Sequence, residues 1–196
     1  MGLFLQTAII PDCGEGAARK AVAAVAEKYS HPMEEGGFDE ADAFHIIDLI
    51  PKDCKYQSAK NGVSILFNED CIGYESLANA ISDELGKAVL LLYIYDEDYW
   101  GYFLYDKGLE IDRFVPIPDY FDTVTQDEKA QMKGNAGIIA NYFHVDKASI
   151  EKYLVFWTDS MRRNYSDKTY ADDEFGQCED WQMADFMRKL GYPYEW

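Results

Sequence analysis

The sequence predicts an α+β protein: an antiparallel sheet of ferredoxin-like β-α-β-β-α-β order, extended by a β-hairpin and followed by a helical C-terminal third. Apolar runs typical of strands alternate with helix-periodic segments up to residue 122, whereas helix-capping signals dominate the remainder. The aromatic content of 15% argues against disorder. We therefore expect a sheet domain over residues 1–122 and a helical extension over residues 123–196 that packs on it, in one folded unit.

The first strand and the first helix are predicted at the start of the chain. Residues 3–10 form an apolar, β-rich run that stops at Pro11. Small apolar residues then recur at helical spacing over residues 17–25, with charged residues on the other side. Because the alanine side chain is small, we expect this helix to lie close to the sheet. Residues 30–43 lack periodicity and are predicted to form a loop.

Two more strands, a second helix and a fourth strand follow. Residues 44–50 and residues 62–67 are predicted to form the second and third strands, with a polar connection between them. Residues 68–70 offer N-cap chemistry to a helix that Gly86 is placed to end. The apolar face of this helix comprises Tyr74, Leu77, Ala78, Ile81 and Leu85. Residues 89–95 are continuously apolar, which is typical of a strand buried on both faces.

A β-hairpin is predicted to widen the sheet. Its strands are residues 99–105 and 109–114, and Gly108 can adopt the positive φ that the turn between them requires. Strand alternation places two sets of side chains on opposite faces of the first hairpin strand. One set is Tyr99, Gly101, Phe103 and Tyr105, and the other is Trp100, Tyr102 and Leu104. Gly101 would permit close approach of a ring or of another backbone.

The C-terminal third carries signals for the starts and ends of helices. Residues 125–128 have the Thr-x-x-Glu spacing of a capping box. Asp146 can cap a helix over residues 147–157, and a last helix is predicted over residues 181–190. Residues 158–177 are polar and are expected to form a loop.

The chain is strongly acidic, with 36 Asp and Glu residues against 18 Lys and Arg residues and a formal net charge of -18. Such a field repels nucleic acid unless a basic stripe exists, and the adjacent basic residues form only isolated pairs. We therefore predict that the protein does not bind nucleic acid. The same field would attract a basic partner protein, or would simply keep the chain soluble and monomeric.

Cysteine usage and apolar runs bear on the compartment. The cysteines are Cys13, Cys54, Cys71 and Cys178. Their spacing matches neither a disulfide framework nor a zinc site, so we expect reduced thiols. Residues 1–6 lack the basic region of a signal peptide, and the apolar run at residues 88–95 is too short to span a bilayer. We predict a cytoplasmic protein without membrane association.

Two sequence features come near to a motif for a cofactor or a metal. Residues 14–19 occupy the position of a dinucleotide fingerprint, but Arg19 replaces its third small residue, so we expect a glycine-rich turn that opens a helix. Acidic clusters lie at residues 96–98, 172–174 and 179–180. Two clusters brought together could bind Ca²⁺ or Mg²⁺, but their spacing matches no calcium loop. We predict no catalytic residue, no cofactor and no metal.

The aromatic hairpin is the predicted binding site. If one face covers the core, the other presents aromatic side chains either to the C-terminal helices or to a partner. Aromatic and Arg residues dominate binding hot spots. The predicted anchors are Trp100, Tyr102, Tyr105 and Arg113, and the predicted charge complement is Asp96, Glu97 and Asp98. The alternative is that Trp100 and Tyr102 are buried beneath the helical third.

The hairpin also carries a resemblance. The hairpin has the sequence W-G-Y-F-L-Y at residues 100–105, followed by Gly108 and by D-R-F at residues 112–114. This pattern resembles a hairpin of uncharacterised bacterial proteins. Residues 119–121 and 181–186 are similar to segments that accompany it. The resemblance covers roughly a quarter of the chain and implies no known activity. Small acidic bacterial α+β proteins include immunity proteins that neutralise toxins, an analogy at the level of class.

These observations favour a non-enzymatic protein-binding domain, of which an immunity-type inhibitor of a basic partner is one form. Two other classes stay open. A hydrolase or metal-dependent enzyme would gather carboxylates in a cleft with His45 or His144, or would pair His45 with Cys54 or Cys71. A small-molecule sensor would have an apolar pocket between the sheet and the C-terminal helices.

Overall fold

The computed structural model describes residues 2–29, 49–68, 73–163 and 167–196. These residues form a six-stranded antiparallel sheet with helices, so the predicted α+β class is confirmed. The strands are β1 (Leu5–Pro11), β2 (Lys55–Ala59), β3 (Gly62–Leu66), β4 (Ala88–Tyr95), β5 (Tyr99–Asp106) and β6 (Leu109–Phe114). The helices are α1 (Glu15–Tyr29), α2 (Tyr74–Leu85), α3 (Gln126–Gln131), α4 (Ala136–Phe143), α5 (Asp159–Arg163) and α6 (Gln182–Lys189).

The order of strands across the sheet is β2-β3-β1-β4-β5-β6. β1 pairs antiparallel with both β3 and β4, and all 7 of its residues are buried. β4 is buried along its length except at Tyr95. The apolar, β-rich sequences of these two strands suit a position in the middle of the sheet with cover on both faces.

The second strand differs from the sequence prediction. β2 lies within the polar connection, where no strand was expected, and residues 44–48 of the predicted strand lie outside the described residues. Among the described strands β2 lies at the edge of the sheet and pairs with β3, so backbone hydrogen bonds hold it without a run of apolar side chains. The Asn61-Gly62 dipeptide after β2 is a hairpin signal that could have indicated this strand.

The first two helices pack together and α2 covers β4 and β5. α1 buries its small apolar residues, which are Ala18, Ala21, Val22, Val25 and Ala26. Gly86 ends α2 with a φ of 60°, in the left-handed region, as the sequence predicted. Glu15, in the first turn of α1, accepts hydrogen bonds from Arg19 (2.8 Å) and from Ser58 (2.9 Å). Residues 14–19 therefore form the predicted turn that opens a helix.

The side chains of β5 alternate between two faces, as predicted. On one face Phe103 stacks on Tyr93 of β4 at 5.6 Å, and Tyr93 lies 5.9 Å from Tyr74 of α2. On the other face Trp100 lies 5.2 Å from Phe186 of α6. α2 and α6 therefore cover opposite faces of the sheet.

Gly101 permits the close approach that its sequence position suggested. A Cβ at this residue would lie 2.5 Å from Tyr93 Oη and 2.6 Å from the carbonyl oxygen of Phe114. Because the second atom belongs to the backbone of β6, it could move aside only with its strand. Gly101 thus lets the tyrosine ring of β4 lie across β5.

The C-terminal third is helical but less regular than predicted, and it includes α4, which the sequence analysis did not predict. The capping box at Thr125 is formed, with both of its hydrogen bonds. Asp146 caps the next segment, yet residues 147–153 form two 3-10 turns rather than the predicted helix. At the end of the predicted helix, the Trp157 N–H donates to the carbonyl oxygen of Pro116 in a distant segment, at 2.9 Å, and not to a carbonyl of the preceding turn. α5 lies within the segment that was predicted to be a loop.

The described cysteines and helices bear on the predicted compartment. Cys13, Cys54 and Cys178 are free thiols, and Cys71 lies outside the described residues. Burial raises the pKa of Cys54 and of Cys13, which disfavours the reactive thiolate. In the described part of the chain, no helix has the length and apolar character needed to cross a membrane.

Candidate functional site

Three of the four predicted anchors are buried in the core. Trp100 and Tyr102 have no exposed surface, and Tyr105 is 4% exposed. Trp100 and Tyr102 pack against Phe186 at 5.2 and 6.0 Å, and Trp100 Nε1 donates to Gln182 at 3.2 Å. The helical third covers Trp100 and Tyr102, as in the alternative that the sequence left open, and Tyr105 is buried against Phe103 on the opposite face of β5. Contact of these residues with a partner stays a prediction.

Arg113, the fourth predicted anchor, is engaged within the chain. Its guanidinium donates two hydrogen bonds to Glu110, at 2.5 and 2.7 Å, and lies 5.3 Å from the centroid of the Phe103 ring. The hydrogen bonds with Glu110 raise the pKa of Arg113. A cation that already has a carboxylate and a ring as neighbours has little left to offer to a partner.

The acidic turn, residues 96–98, joins β4 to β5 and reaches the surface. Asp96 and Glu97 are exposed, and their φ values are 51° and 61°. The Asp98 N–H donates to the Tyr95 carbonyl at 2.9 Å, which completes the geometry of a type I′ turn. Such a turn favours glycine or asparagine, because a β-carbon raises the energy of the left-handed conformation. The backbone therefore carries strain where it exposes two carboxylates.

The residues before β1 hold the acidic turn. The Gly2 N–H donates to Asp96 Oδ1 at 3.1 Å, and the Glu97 N–H donates to the carbonyl oxygen of Leu3 at 3.2 Å. A Cβ at residue 2 would lie 2.2 Å from Asp96 Oδ1, so the contact depends on glycine. The position of the two carboxylates is therefore set by hydrogen bonds as well as by the turn.

Two exposed aromatic rings lie beside the acidic turn. Phe121 is 66% exposed and Phe4 is 43% exposed. Both rings meet Tyr95, the last residue of β4, edge to face, with centroid distances of 5.2 and 5.1 Å. We term the set Phe4, Tyr95, Asp96, Glu97 and Phe121 the tip surface. It combines apolar rings with carboxylates at one end of the sheet.

Tyr120 connects the loop that carries Phe121 to the acidic turn. Its hydroxyl donates a short hydrogen bond to the Asp98 carboxylate, and this bond raises the pKa of Tyr120 to about 12. The Tyr120 ring lies 5.1 Å from Tyr99 and 4.9 Å from Phe121. Asp98, the third predicted acidic contact, therefore holds the loop in place, and Phe121 is fixed over the end of the sheet.

The tip surface lies in a region of negative charge. Burial raises the pKa of Asp180, and the like charges of Glu97 and Glu179 raise it further, which puts the two acidic segments within electrostatic reach of each other. Among the ion pairs that the described residues form, none includes Asp96 or Glu97. The negative charge of the turn is therefore left for a partner or for solvent.

The remaining acidic cluster is neutralised by cations of α6. Lys189 and Arg188 pair with Asp172 at 2.5 and 3.1 Å, and Arg188 also pairs with the buried Asp185 at 2.9 Å. Hydrogen bonds from Lys189 and Arg188 lower the pKa of Asp172 to about 2. Within the described ranges, no group of three His, Cys, Asp or Glu side chains is arranged to hold a metal ion.

Of the two histidines in the enzyme hypothesis, His144 lies within the described residues. His144 is exposed, and its Nε2 lies 4.0 Å from Asp12. Cys54 is buried, while His45 and Cys71 lie outside the described residues. The predicted pairs of His45 with Cys54 or Cys71 therefore stay predictions.

Two surface depressions lie elsewhere. A groove of about 710 Å³ follows β6 and the segment that opens α4, with charged residues on both walls. A pocket of about 290 Å³ is lined in part by Gln182 of α6 and by Tyr153, Trp157 and Met161. The lining of the second depression is partly polar and comes from the C-terminal third, whereas a small-molecule sensor was expected to have an apolar pocket between the sheet and the C-terminal helices. The sensor function stays a prediction.

Sequence reasoning missed the aromatic half of the tip surface. The sequence places Phe4 in the first predicted strand, Tyr95 in a buried strand and Phe121 in a segment that accompanies the hairpin resemblance. Of the predicted contact residues, Asp96 and Glu97 belong to the tip surface. The available signal for Phe121 was its position in a nonperiodic stretch between Pro118 and the capping box, where an aromatic side chain lacks a helix or strand to bury it.

Comparison with known proteins does not assign a family. No protein-family model matches the chain, and comparisons with curated proteins and with solved structures likewise give no match. The resemblance of the hairpin to bacterial proteins stays an expectation. The geometry and charge of the tip surface therefore carry the functional inference.

Proposed function

We propose that this chain is a non-enzymatic protein-binding domain that uses the tip surface to bind a basic partner protein. An immunity-type inhibitor, which covers the working surface of a basic toxin, is one form of this function. The observation that carries the proposal is that Phe121, 66% exposed, contacts Tyr95, the residue that precedes the exposed Asp96 and Glu97. Aromatic anchors with charged neighbours are typical of binding hot spots.

The exposed rings have the properties of binding anchors. Removing apolar surface from water gains roughly 25 cal/mol per Å², so a partner that covers Phe121 and Phe4 gains free energy. Both rings already contact Tyr95, which restricts their motion before any partner arrives. Little side-chain entropy is then lost on association.

The strained turn supports a role beyond stability. Glu97 has a φ of 61°, a conformation that costs a non-glycine residue about 1–2 kcal/mol. Residues in such conformations cluster at functional sites. The chain thus bears a cost in stability at the position where it exposes a carboxylate.

The charge of the chain favours a basic partner over a neutral or an acidic one. The net charge of -18 produces a long-range field that accelerates association with a cationic surface. Asp96 and Glu97 add local negative charge at the anchors. Complementary charge of this kind makes association faster at low salt.

Site-specific photo-crosslinking tests the proposal. Benzoylphenylalanine replaces Phe121 in one variant and Leu109 in a matched control. Leu109 is 67% exposed and lies in β6 opposite Asp106, at the end of β5 that is far from the tip. Irradiation in cells that express the protein, followed by mass spectrometry, identifies what each position touches. A partner found in this way is then purified and its affinity is measured.

We expect a basic protein crosslinked from position 121 and not from position 109. Phe121→Ala and Glu97→Gln should each weaken the purified complex, and Leu109→Ala should leave it unchanged. Identical adducts from both positions, no adduct from position 121, or a partner without an excess of Lys and Arg would contradict the proposal.

We also infer that β1 to β4, together with α1 and α2, form a ferredoxin-like unit. The order β2-β3-β1-β4 with antiparallel neighbours supports this inference, because two interleaved split β-α-β units have the same arrangement. A boundary near residue 122 and a cytoplasmic location are proposals of the same kind. The free, buried thiols of Cys13 and Cys54 support a reducing compartment.

A further inference from the structure

We infer that a pocket in the C-terminal third binds a small organic acid, with the carboxylate toward two lysines and a threonine hydroxyl and the apolar body against aromatic rings. The pocket is the depression of about 290 Å³ at α6. The side chains in question, which all line it, are Lys152, Lys168, Thr169, Tyr153 and Trp157. None of these residues belongs to the tip surface, so the inference goes beyond the proposed function.

The charged side chains of the described lining are both cationic. Lys152 and Lys168 line the pocket, and among the described residues no Asp or Glu does so, although the chain has 36 acidic residues against 18 basic ones. Neither lysine forms an ion pair with a described carboxylate. Lys168 Nζ donates to the carbonyl oxygen of Glu174, and an ammonium group carries three donors, so two stay available for a ligand. The pocket therefore suits an anion.

A directed chain of hydrogen bonds ends at the Thr169 hydroxyl. Trp100 Nε1 can only donate, so its bond of 3.2 Å to Gln182 Oε1 fixes which end of the buried Gln182 amide faces it. Gln182 Nε2 then donates to Thr169 Oγ1 at 2.7 Å, so the hydroxyl oxygen is the acceptor in this bond. The hydroxyl proton of Thr169 has no acceptor among the described residues. The lining thus offers a donor to an atom that only accepts, as a carboxylate oxygen does.

The rest of the lining supplies an apolar surface for the body of the ligand. Tyr153 and Trp157 are buried, so the core holds their rings in place. Met161 and Val155 also line the pocket, and the flexible thioether of methionine adapts to the shape of what it contacts. Pockets for drug-sized ligands have volumes of about 300–1,000 Å³. A volume of about 290 Å³ is therefore suited to a body of about one ring.

The net charge of the chain predicts the opposite preference. A charge of -18 attracts cations and repels anions over the surface as a whole. A small molecule that binds through general electrostatic attraction would therefore be cationic. Selection of an anion would have to come from the local lining of the pocket, which makes the sign of the ligand charge a decisive observation.

Four small molecules provide the test. Phenylacetate has the carboxylate and the ring, phenylacetamide keeps the shape without the charge, phenethylamine reverses the charge, and acetate lacks the ring. Each compound is titrated into the full chain, and calorimetry gives its affinity. NMR follows the side-chain amide protons of Gln182 and the methyl group of Met161, which locate the binding.

We expect phenylacetate to bind saturably, with a Kd of about 1 mM or below, and to shift both resonances. Phenylacetamide should bind about tenfold more weakly, because it loses the hydrogen bonds that the charge of the carboxylate strengthens. Phenethylamine and acetate should not saturate, since the first has the wrong charge and the second has no apolar body.

Variants of the lining assign the binding to the pocket. The double variant Lys152→Gln, Lys168→Gln should weaken phenylacetate about tenfold, to the affinity of phenylacetamide. Its control is Lys133→Gln, Lys147→Gln, which removes the same charge from the groove along β6 and should change nothing. Val155→Trp adds bulk at an exposed position of the lining and should abolish the binding.

Phenethylamine that binds as tightly as phenylacetate overturns the inference. Equal binding of phenylacetate and phenylacetamide does so as well, and so does an absence of saturable phenylacetate binding. Binding that survives Val155→Trp, or that falls equally in the two double variants, places phenylacetate elsewhere and also overturns it. Crosslinking from position 121 tests the proposed function separately, so either proposal can fail while the other stands.

Discussion

Replacing Glu97 by glycine is expected to stabilise the protein and to weaken binding at the tip surface. Glu97 has a φ of 61°, which costs a residue with a β-carbon about 1–2 kcal/mol and costs glycine nothing. Glycine also lowers the free energy of unfolding by about 0.5–1 kcal/mol, because the unfolded chain has more conformational freedom at a glycine. The net gain in the free energy of unfolding is therefore about 1 kcal/mol, or a rise in Tm of about 2–4 °C for a chain of this size.

The matched variant is Glu97→Ala. Glycine and alanine both remove the carboxylate, so the difference between the unfolding free energies of the two variants reports the backbone strain at residue 97. Urea unfolding followed by tryptophan fluorescence gives the midpoint and the slope for each variant. The glycine variant should have the higher midpoint with an unchanged slope, and both variants should bind the partner crosslinked at position 121 equally weakly.

An alanine variant at least as stable as the glycine variant would show that the turn is not strained. A glycine variant that is more stable but binds the crosslinked partner as well as the parent chain does would leave the strain argument intact. It would also remove Glu97 from the contact surface. The two measurements therefore test the backbone and the carboxylate independently.

Three further predictions concern the core and the charge network. Gly101→Ala should lower the free energy of unfolding by about 3 kcal/mol, because its Cβ would lie 2.6 Å from the Phe114 carbonyl oxygen. Gly16→Ala, whose Cβ would meet no atom within 4 Å, is the control in the same thermal melts and should not destabilise. Phe186→Ala should cost about 3–5 kcal/mol in urea unfolding, because it removes the buried ring that covers β5; a loss below 1 kcal/mol would mean that α6 is not docked there. The pKa of Asp172 is depressed from 3.8 to about 2, so its pairs contribute stability that is present above pH 3.8 and lost as the pH falls toward 2. Asp172→Asn should flatten the decline in stability over that interval, as followed by circular dichroism, and an unchanged decline would show that these ion pairs contribute nothing.

Elements with strong local signals were predictable from the sequence. Gly86 and Gly108 both have the positive φ expected of them, at 60° and 74°, and the capping box at Thr125 is formed. These signals succeed because a few neighbouring residues determine the backbone conformation. The buried strands β1 and β4 were also predictable, since their apolar runs require cover on both faces of the sheet.

Elements held by distant contacts were harder to predict. β2 has a polar sequence and is held by pairing with β3, and only the Asn61-Gly62 dipeptide marked its turn. Residues 147–153 have a helical cap at Asp146 but form 3-10 turns, and Trp157, at the end of the predicted helix, bonds to Pro116 in a distant segment. That bond has no signature in the local sequence.

The sequence by itself determined that β5 is aromatic on both faces and that the turn before it is acidic. Only the tertiary structure decided which aromatic residues are covered: Phe186 of α6 buries Trp100, whereas Phe121 remains 66% exposed. The apolar area of a side chain determines how much free energy its burial would gain. Whether another segment buries it depends on the path of the whole chain, so the surface that we propose for binding lies at the tip and not on the hairpin.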